Sequence, residues 1–369
     1  MKRRFLLLGA LLMPMTAHAQ TRKPDKRQAK PGAKPAKAAA KPVTKAATKT
    51  AAKPAPPPKP QPPAKPPTGP QPLKSAKIQL VAFNASPFPY RSTVPETDKP
   101  FLDVSSGRKR GHTNPRGEVF WEDQTYSDRR SLLYLPAGYD PQRSSLIVLF
   151  LHGNGATLQR DVIARQGVTR QIAESGQNLV LVAPQLAVDA ADSSAGNFWK
   201  PGHFAAYLDE AAERLMRLYG DQEAGRNFNM ASVVIAAYSG GYLSAAYALD
   251  RGGASHRIKG VILLDALYSD EDKFASWIAA RRRQAFLFSA YTESTKEENI
   301  ALQAMLDKRR IPYAKSVPSA LDAGTVAFTA CGSEDMHVDF VTRAWRVDPL
   351  KTALAMIPGY ALGRDKKAA

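Results

Sequence analysis

The 369-residue chain has one cysteine, Cys331. No intrachain disulfide can form, and with no cysteine near the N-terminus a lipid-anchored cysteine behind an export leader is excluded. Long apolar runs are missing too. Phe5–Met13, the apolar stretch nearest the N-terminus, is too short to span a bilayer as a helix. Histidine is scarce, with six residues, and no His/Asp/Glu/Cys group has metal-ligand spacing, so no metal and no cofactor are expected. Acidic residues are nearly absent from the first 77 positions. That stretch holds 18 of the 52 Lys and Arg against Asp25 alone, so it carries +17 of the chain's net +19 and the remaining 292 residues only +2. The high isoelectric point therefore describes a tail and excludes little about the rest of the chain.

What is present divides the chain into three. Residues 1–19 read as an export leader: Lys2, Arg3 and Arg4, then the apolar stretch, then Ala17-His18-Ala19 as a small-x-small cleavage site. Residues 20–77 are almost all Lys, Ala, Pro and Thr. They have too little apolar surface to offset the entropy of ordering, and their prolines favour extended polyproline II. A disordered, stiff spacer is expected, able to attract an anionic cell-envelope polymer; nucleic acid is not expected as a partner after export. Residues 78–369 are long enough for one large core. The leader predicts a periplasmic or secreted protein.

Within 78–369, short strands are expected at Ile78–Phe83, Glu118–Trp121 and Ser131–Leu135. Strands then alternate with helices. Leu146–Leu151 (LIVLFL) is a continuous apolar run, as a strand covered on both faces requires. Further strands are predicted at Leu179–Val182, Ser232–Ala237, Val261–Leu264, Ala285–Phe288 and Thr325–Thr329. Helices are predicted at Thr157–Ser175, Phe204–Tyr219, Gly241–Asp250, Glu271–Ala280, Lys296–Arg309 and Val338–Trp345. The alternation predicts an α/β fold: a mostly parallel sheet with helices on both faces.

One serine stands out against this pattern. In Ala237-Tyr238-Ser239-Gly240-Gly241, Ser239 lies where a β-branched strand becomes a helix. Small residues two before and two after it allow strand and helix to approach closely, as a nucleophile elbow requires. A serine hydroxyl needs a base. His256 precedes a strand, at the wrong end of the sheet, whereas His337 follows the last strand at the end where Ser239 lies. His337 is the predicted base. Two preset amides are needed for an oxyanion: Gly240, directly after the serine, and Asn154 in Leu151-His152-Gly153-Asn154-Gly155, directly after LIVLFL. His152 is expected to brace that loop. For the acid, Asp265 at the end of VILLDALY is preferred over Glu293 in SAYTEST. Gly153 and Tyr238 are expected to border the substrate. In the long loop Leu186–Phe204, Phe198 and Trp199 are candidates for a substrate pocket, and Asp189 and Asp192 for contacts with a polar substrate.

On these residues the segment from about Ser131 to Trp345 resembles the α/β-hydrolase superfamily. The match rests on His152-Gly153-Asn154-Gly155, on Ala237–Gly241 with Ala237 in place of the usual first glycine, and on His337 in HVDF. The resemblance implies a serine hydrolase or related acyl-transfer enzyme and no particular substrate; an ester of a small molecule or polymer is the leading expectation. A cell-wall amidase or peptidase on the same fold, and a non-catalytic envelope-binding protein on an inactive scaffold, are the alternatives.

Overall fold

A strand sandwiched between two helical layers must present apolar side chains on both faces, and Leu146–Leu151 does so at every position. Ile147, Leu149 and Leu151 enter one core cluster, while Leu146, Val148 and Phe150 enter the other. The computed structural model describes residues 69–362. The expected leader and most of the expected spacer lie outside the described residues.

The strands are β1 (Lys77–Ala82), β2 (Val104–Ser106), β3 (Lys109–Thr113), β4 (Val119–Trp121), β5 (Arg130–Leu135), β6 (Leu146–Leu151), β7 (Leu179–Pro184), β8 (Ser232–Tyr238), β9 (Ile258–Leu264), β10 (Phe286–Tyr291) and β11 (Val326–Ala330). Eight of them form one sheet in the order β1-β5-β7-β6-β8-β9-β10-β11. β5 is antiparallel to both neighbours and every other pair is parallel. The helices are α1 (Glu122–Thr125), α2 (Val168–Glu174), α3 (His203–Tyr219), α4 (Gly225–Met230), α5 (Tyr242–Arg251), α6 (Glu271–Arg281), α7 (Lys296–Lys308) and α8 (Pro349–Ala355). One face of the sheet is covered by α3, α5, α6 and α7, through side chains such as Phe204, Ala245, Phe274 and Leu302. The other is covered by α2 and α8, through Ile172 and Leu354. This is the α/β-hydrolase fold, with β8 near the centre of the sheet.

Two expected helices take another form. The single helix over 157–175 is instead a π-helical segment, Leu158–Arg165, followed by α2; Gly167 sits between them in the left-handed region at φ 57°. The segment closes on the buried Asp161, whose carboxylate accepts from the Thr157 amide at 2.8 Å and from Arg165 Nε at 2.9 Å. The helix expected over 338–345 does not form. The chain makes a short 3-10 helix, Glu334–Asp339, and the last α-helix begins at Pro349. Proline at the first helical position is preorganised for helix entry. Strands β2 and β3 pair with β4 in a separate antiparallel sheet that the sequence pattern did not single out.

Candidate active site

Ser239 ends β8 at the carboxyl edge of the sheet, where ligands of open α/β sheets bind. Its φ of 49° lies in the left-handed region, which a non-glycine residue adopts at a cost of about 1–3 kcal/mol. The sharp reversal needs the small flanks read from the sequence. A Cβ on Gly241 would lie 2.3 Å from the Leu151 carbonyl oxygen of β6, so no side chain fits there. Gly153 is equally confined, since its Cβ would meet Ser239 Cβ at 2.8 Å.

The Ser239 hydroxyl lies 2.9 Å from His337 Nε2. His337 Nδ1 donates to Asp265 Oδ2 at 2.6 Å. This leaves Nε2 as the acceptor for the serine proton. The chain order serine, aspartate, histidine is that of α/β-hydrolase triads. Asp265 is fully buried and, like Ser239, left-handed, with φ 47°. Four further donors converge on its carboxylate: Thr292 N (2.9 Å) and Thr295 Oγ1 (2.6 Å) on Oδ1, and Thr292 Oγ1 (2.7 Å) and Ser294 Oγ (2.8 Å) on Oδ2. Burial alone would raise its pKa. The hydrogen bonds from His337, Thr292 and Thr295 outweigh that and hold it at about 2. Glu293 does not reach the histidine. It is turned to solvent and pairs with Lys296 Nζ at 2.9 Å. The hydroxyls and amide of the 292–295 loop instead support the acid supplied by β9.

The oxyanion candidates occupy the expected loop. The main-chain N–H of Asn154 has no acceptor among the described residues. Gly240 lies in the first turn of a helix, where amides have no intrahelical partner. The Asn154 side chain closes over Gly240, and its Oδ1 accepts from Ser193 Oγ at 3.2 Å. Gly155 N donates to Ala190 O at 2.8 Å. His152 braces this loop from below. It is buried, its Nδ1–H donates to Gly153 O at 2.8 Å, and its Nε2 accepts from Leu186 N at 2.9 Å. Burial lowers its pKa and keeps the imidazole neutral.

Several expected substrate contacts are structural. Phe198 is fully buried and meets Phe204 and Tyr207 edge-on at 5.5 and 5.3 Å. Trp199 packs edge-on against Tyr90 (5.2 Å) and Phe101 (5.8 Å). Both anchor their loop to the core, because a long loop needs apolar attachment and aromatic rings supply the most area. Asp192 is buried and accepts from Tyr126 Oη at 2.9 Å, while Asp189 pairs with Arg160 at 2.6 Å. Tyr238 lies against the histidine and Gly153, on the rim of the site. Its ring stacks on His337 with centroids 5.4 Å apart, and its hydroxyl donates to His337 O at 2.8 Å.

Sequence reasoning missed Tyr268 and the hydroxyl cradle. Tyr268 Oη lies 3.4 Å from His337 Nδ1, and its ring meets Tyr242 at 5.8 Å and His337 at 6.1 Å. The cradle had a readable signal, since Thr292, Ser294 and Thr295 form a hydroxyl-rich run on the same rim of the sheet as Asp265.

No protein-family model matches the chain, and no curated protein matches it. Solved structures similar to it include a mutant feruloyl esterase module from Clostridium thermocellum complexed with sinapinate (16% identity, 76% of this chain and 100% of that one, TM-score 0.41). An S-formylglutathione hydrolase from Agrobacterium tumefaciens matches at 13% identity over 69% of this chain and 97% of that one, TM-score 0.36. A dienelactone hydrolase-like promiscuous phosphotriesterase from metagenomic libraries matches at 10% over 79% and 92%, TM-score 0.34.

Proposed function

We propose that residues 78–369 form a serine hydrolase that cleaves carboxylic esters through an acyl-enzyme on Ser239, in a protein exported by its leader. The observation that carries this reading is the continuous relay from Ser239 Oγ to His337 Nε2 (2.9 Å) and from His337 Nδ1 to Asp265 Oδ2 (2.6 Å). Ser239 Oγ attacks the ester carbonyl carbon while His337 Nε2 takes its proton. Asp265 stays ionised and stabilises the imidazolium. The amides of Gly240 and Asn154 face the oxyanion as the tetrahedral intermediate forms. His337 then returns the proton to the leaving alcohol, and water, deprotonated by the same histidine, releases the acid. Nothing in this sequence of steps calls for a metal or a cofactor.

The test is labelling with a fluorophosphonate probe, read by mass spectrometry, beside hydrolysis of p-nitrophenyl acetate. The reading expects one adduct on Ser239, and loss of both labelling and turnover in Ser239→Ala. Full turnover by Ser239→Ala would refute it. A folded wild-type protein that neither labels nor hydrolyses would support a binding protein on an inactive scaffold.

A further inference from the structure

At the end of the sheet opposite Ser239, three chain segments bring exposed cations together. Arg282 and Arg283 follow the end of α6, Lys308, Arg309 and Arg310 close α7, and Lys315 follows on the strand-like segment beside β11. Arg309 reaches Ser276 of α6, 3.4 Å from its Oγ, and Ala314 pairs with Ala327 near the start of β11, so the segments share one end of the sheet. Fourteen of the other 27 described Lys and Arg form ion pairs, yet none of these six does. The acids within these segments and the loop beside them are Asp307, which accepts from Tyr313 Oη at 3.1 Å, and Asp322. A helix C-terminus favours a positive group in its last turn. Arg282 and Arg309 are the C-cap residues of α6 and α7 and gain from that dipole, whereas Arg283, Arg310 and Lys315 lie outside both helices.

The N-terminal chain joins the domain at this same end. β1 is antiparallel to β5 and β5 to β7, so β1 runs in the same sense as β9 and β10 and begins at the same end of the sheet, on its opposite edge. Behind the expected leader, residues 20–76 hold 14 Lys and Arg against one acid, Asp25.

We propose that this end of the domain docks on an anionic lipid bilayer surface, its six cations engaging headgroup phosphates. Separate charges from three segments match an array of headgroups. A nucleic-acid strand would call for aromatic stacking platforms between the cations. The aromatic ring in these segments is Tyr313, whose face is covered by Lys315 Nζ at 5.8 Å and whose hydroxyl is held by Asp307. Docked this way, the Ser239 edge faces away from the bilayer and stays open to solute.

The experiment is co-sedimentation of the full-length protein with phosphatidylcholine vesicles, with and without about one third phosphatidylglycerol, at rising salt. Binding is expected only with phosphatidylglycerol, and it should weaken with salt. The quadruple variant Arg282→Gln/Arg283→Gln/Arg309→Gln/Arg310→Gln should keep the wild-type melting temperature and lose binding by on the order of a thousandfold. The separate pair Lys308→Gln/Lys315→Gln should lose about thirtyfold. Variants that bind like wild type would overturn the proposal by assigning the interaction to the tail alone. Equal binding to neutral vesicles, or capture by soluble polyglutamate without vesicle binding, would overturn it as well.

Discussion

Replacing Asp265 by asparagine keeps the volume and removes the charge, and the local geometry dictates the consequence. Five donors converge on the carboxylate, three on Oδ2 and two on Oδ1. An amide offers one acceptor oxygen and one NH₂. If the oxygen stays with Thr292 N and Thr295 Oγ1, the NH₂ faces His337 Nδ1 and forces that nitrogen to accept. The imidazole proton then sits on Nε2, facing Ser239, and the ring cannot act as base. If the amide flips, the histidine keeps its tautomer, but the NH₂ faces the Thr292 amide and the Thr295 hydroxyl in a fully buried site, at about 1–3 kcal/mol per unmet donor. The first orientation is the cheaper one, because the hydroxyls around Oδ2 can rotate and a main-chain amide cannot. Loss of the correct tautomer in a serine triad costs about 10⁴ in kcat, or about 5 kcal/mol of transition-state stabilisation. The assay is the initial rate on saturating p-nitrophenyl acetate, with circular dichroism and Tm as folding controls. Glu293→Gln, which breaks only an exposed pair with Lys296, should stay within about twofold of wild type. An Asp265→Asn enzyme within about tenfold of wild type, or a Glu293→Gln enzyme that falls as far, would refute the assignment.

Three further outcomes are expected. Gly241→Ala places a methyl carbon 2.3 Å from the Leu151 carbonyl. It should lower stability by about 3 kcal/mol or more and abolish turnover, as thermal melting and rate measurement together would show. Tyr238→Phe removes the hydroxyl bond to His337 O at 2.8 Å but keeps the ring stacked on the imidazole. It should lower kcat by about five- to tenfold with little change in KM, from about 1 kcal/mol of lost positioning. Asp265 also makes stability depend on acid. Its folded pKa of about 2 lies below the usual 3.8, so its contribution is fully present above pH 4 and fades as pH falls toward 2. The shift corresponds to about 2 kcal/mol, so urea unfolding of Asp265→Asn should be flatter with pH than wild type across that window.

The strands that place the site were the most legible part of the chain. Leu146–Leu151 and the run into Ser239 are buried on both faces, and continuous β-branched or aliphatic runs arise where neither face meets water. The elbow was legible because it is a steric requirement, and sterics act on residue size, which a sequence states directly. Partners set by rotamer and loop path were less legible. Tyr238 directly precedes the serine, and because a strand alternates its faces its ring goes to the side where His337 lands. Phe198 and Trp199 are aromatic for attachment to the core rather than for contact with a ligand. The sequence held no signal that separated these cases, since both draw on the same apolar residues.

Asp265 and Glu293 both sit beyond a strand at the same rim, so position alone does not separate them. Their surroundings do. A carboxylate at a left-handed residue in a fully buried position is costly in backbone strain and in desolvation, and folding keeps it only when donors surround it. The 292–295 loop supplies four of them, three from hydroxyl side chains, and this explains the composition of that loop with Glu293 left outside. The loop after β10 thus fixes the acid without providing it. If that is its task, Thr295→Val, which deletes one buried hydroxyl at nearly constant volume, should raise the Asp265 pKa toward its unfolded value and flatten the loss of stability between pH 4 and 2 in urea unfolding, whereas a loop that merely packs would lose the same stability at every pH.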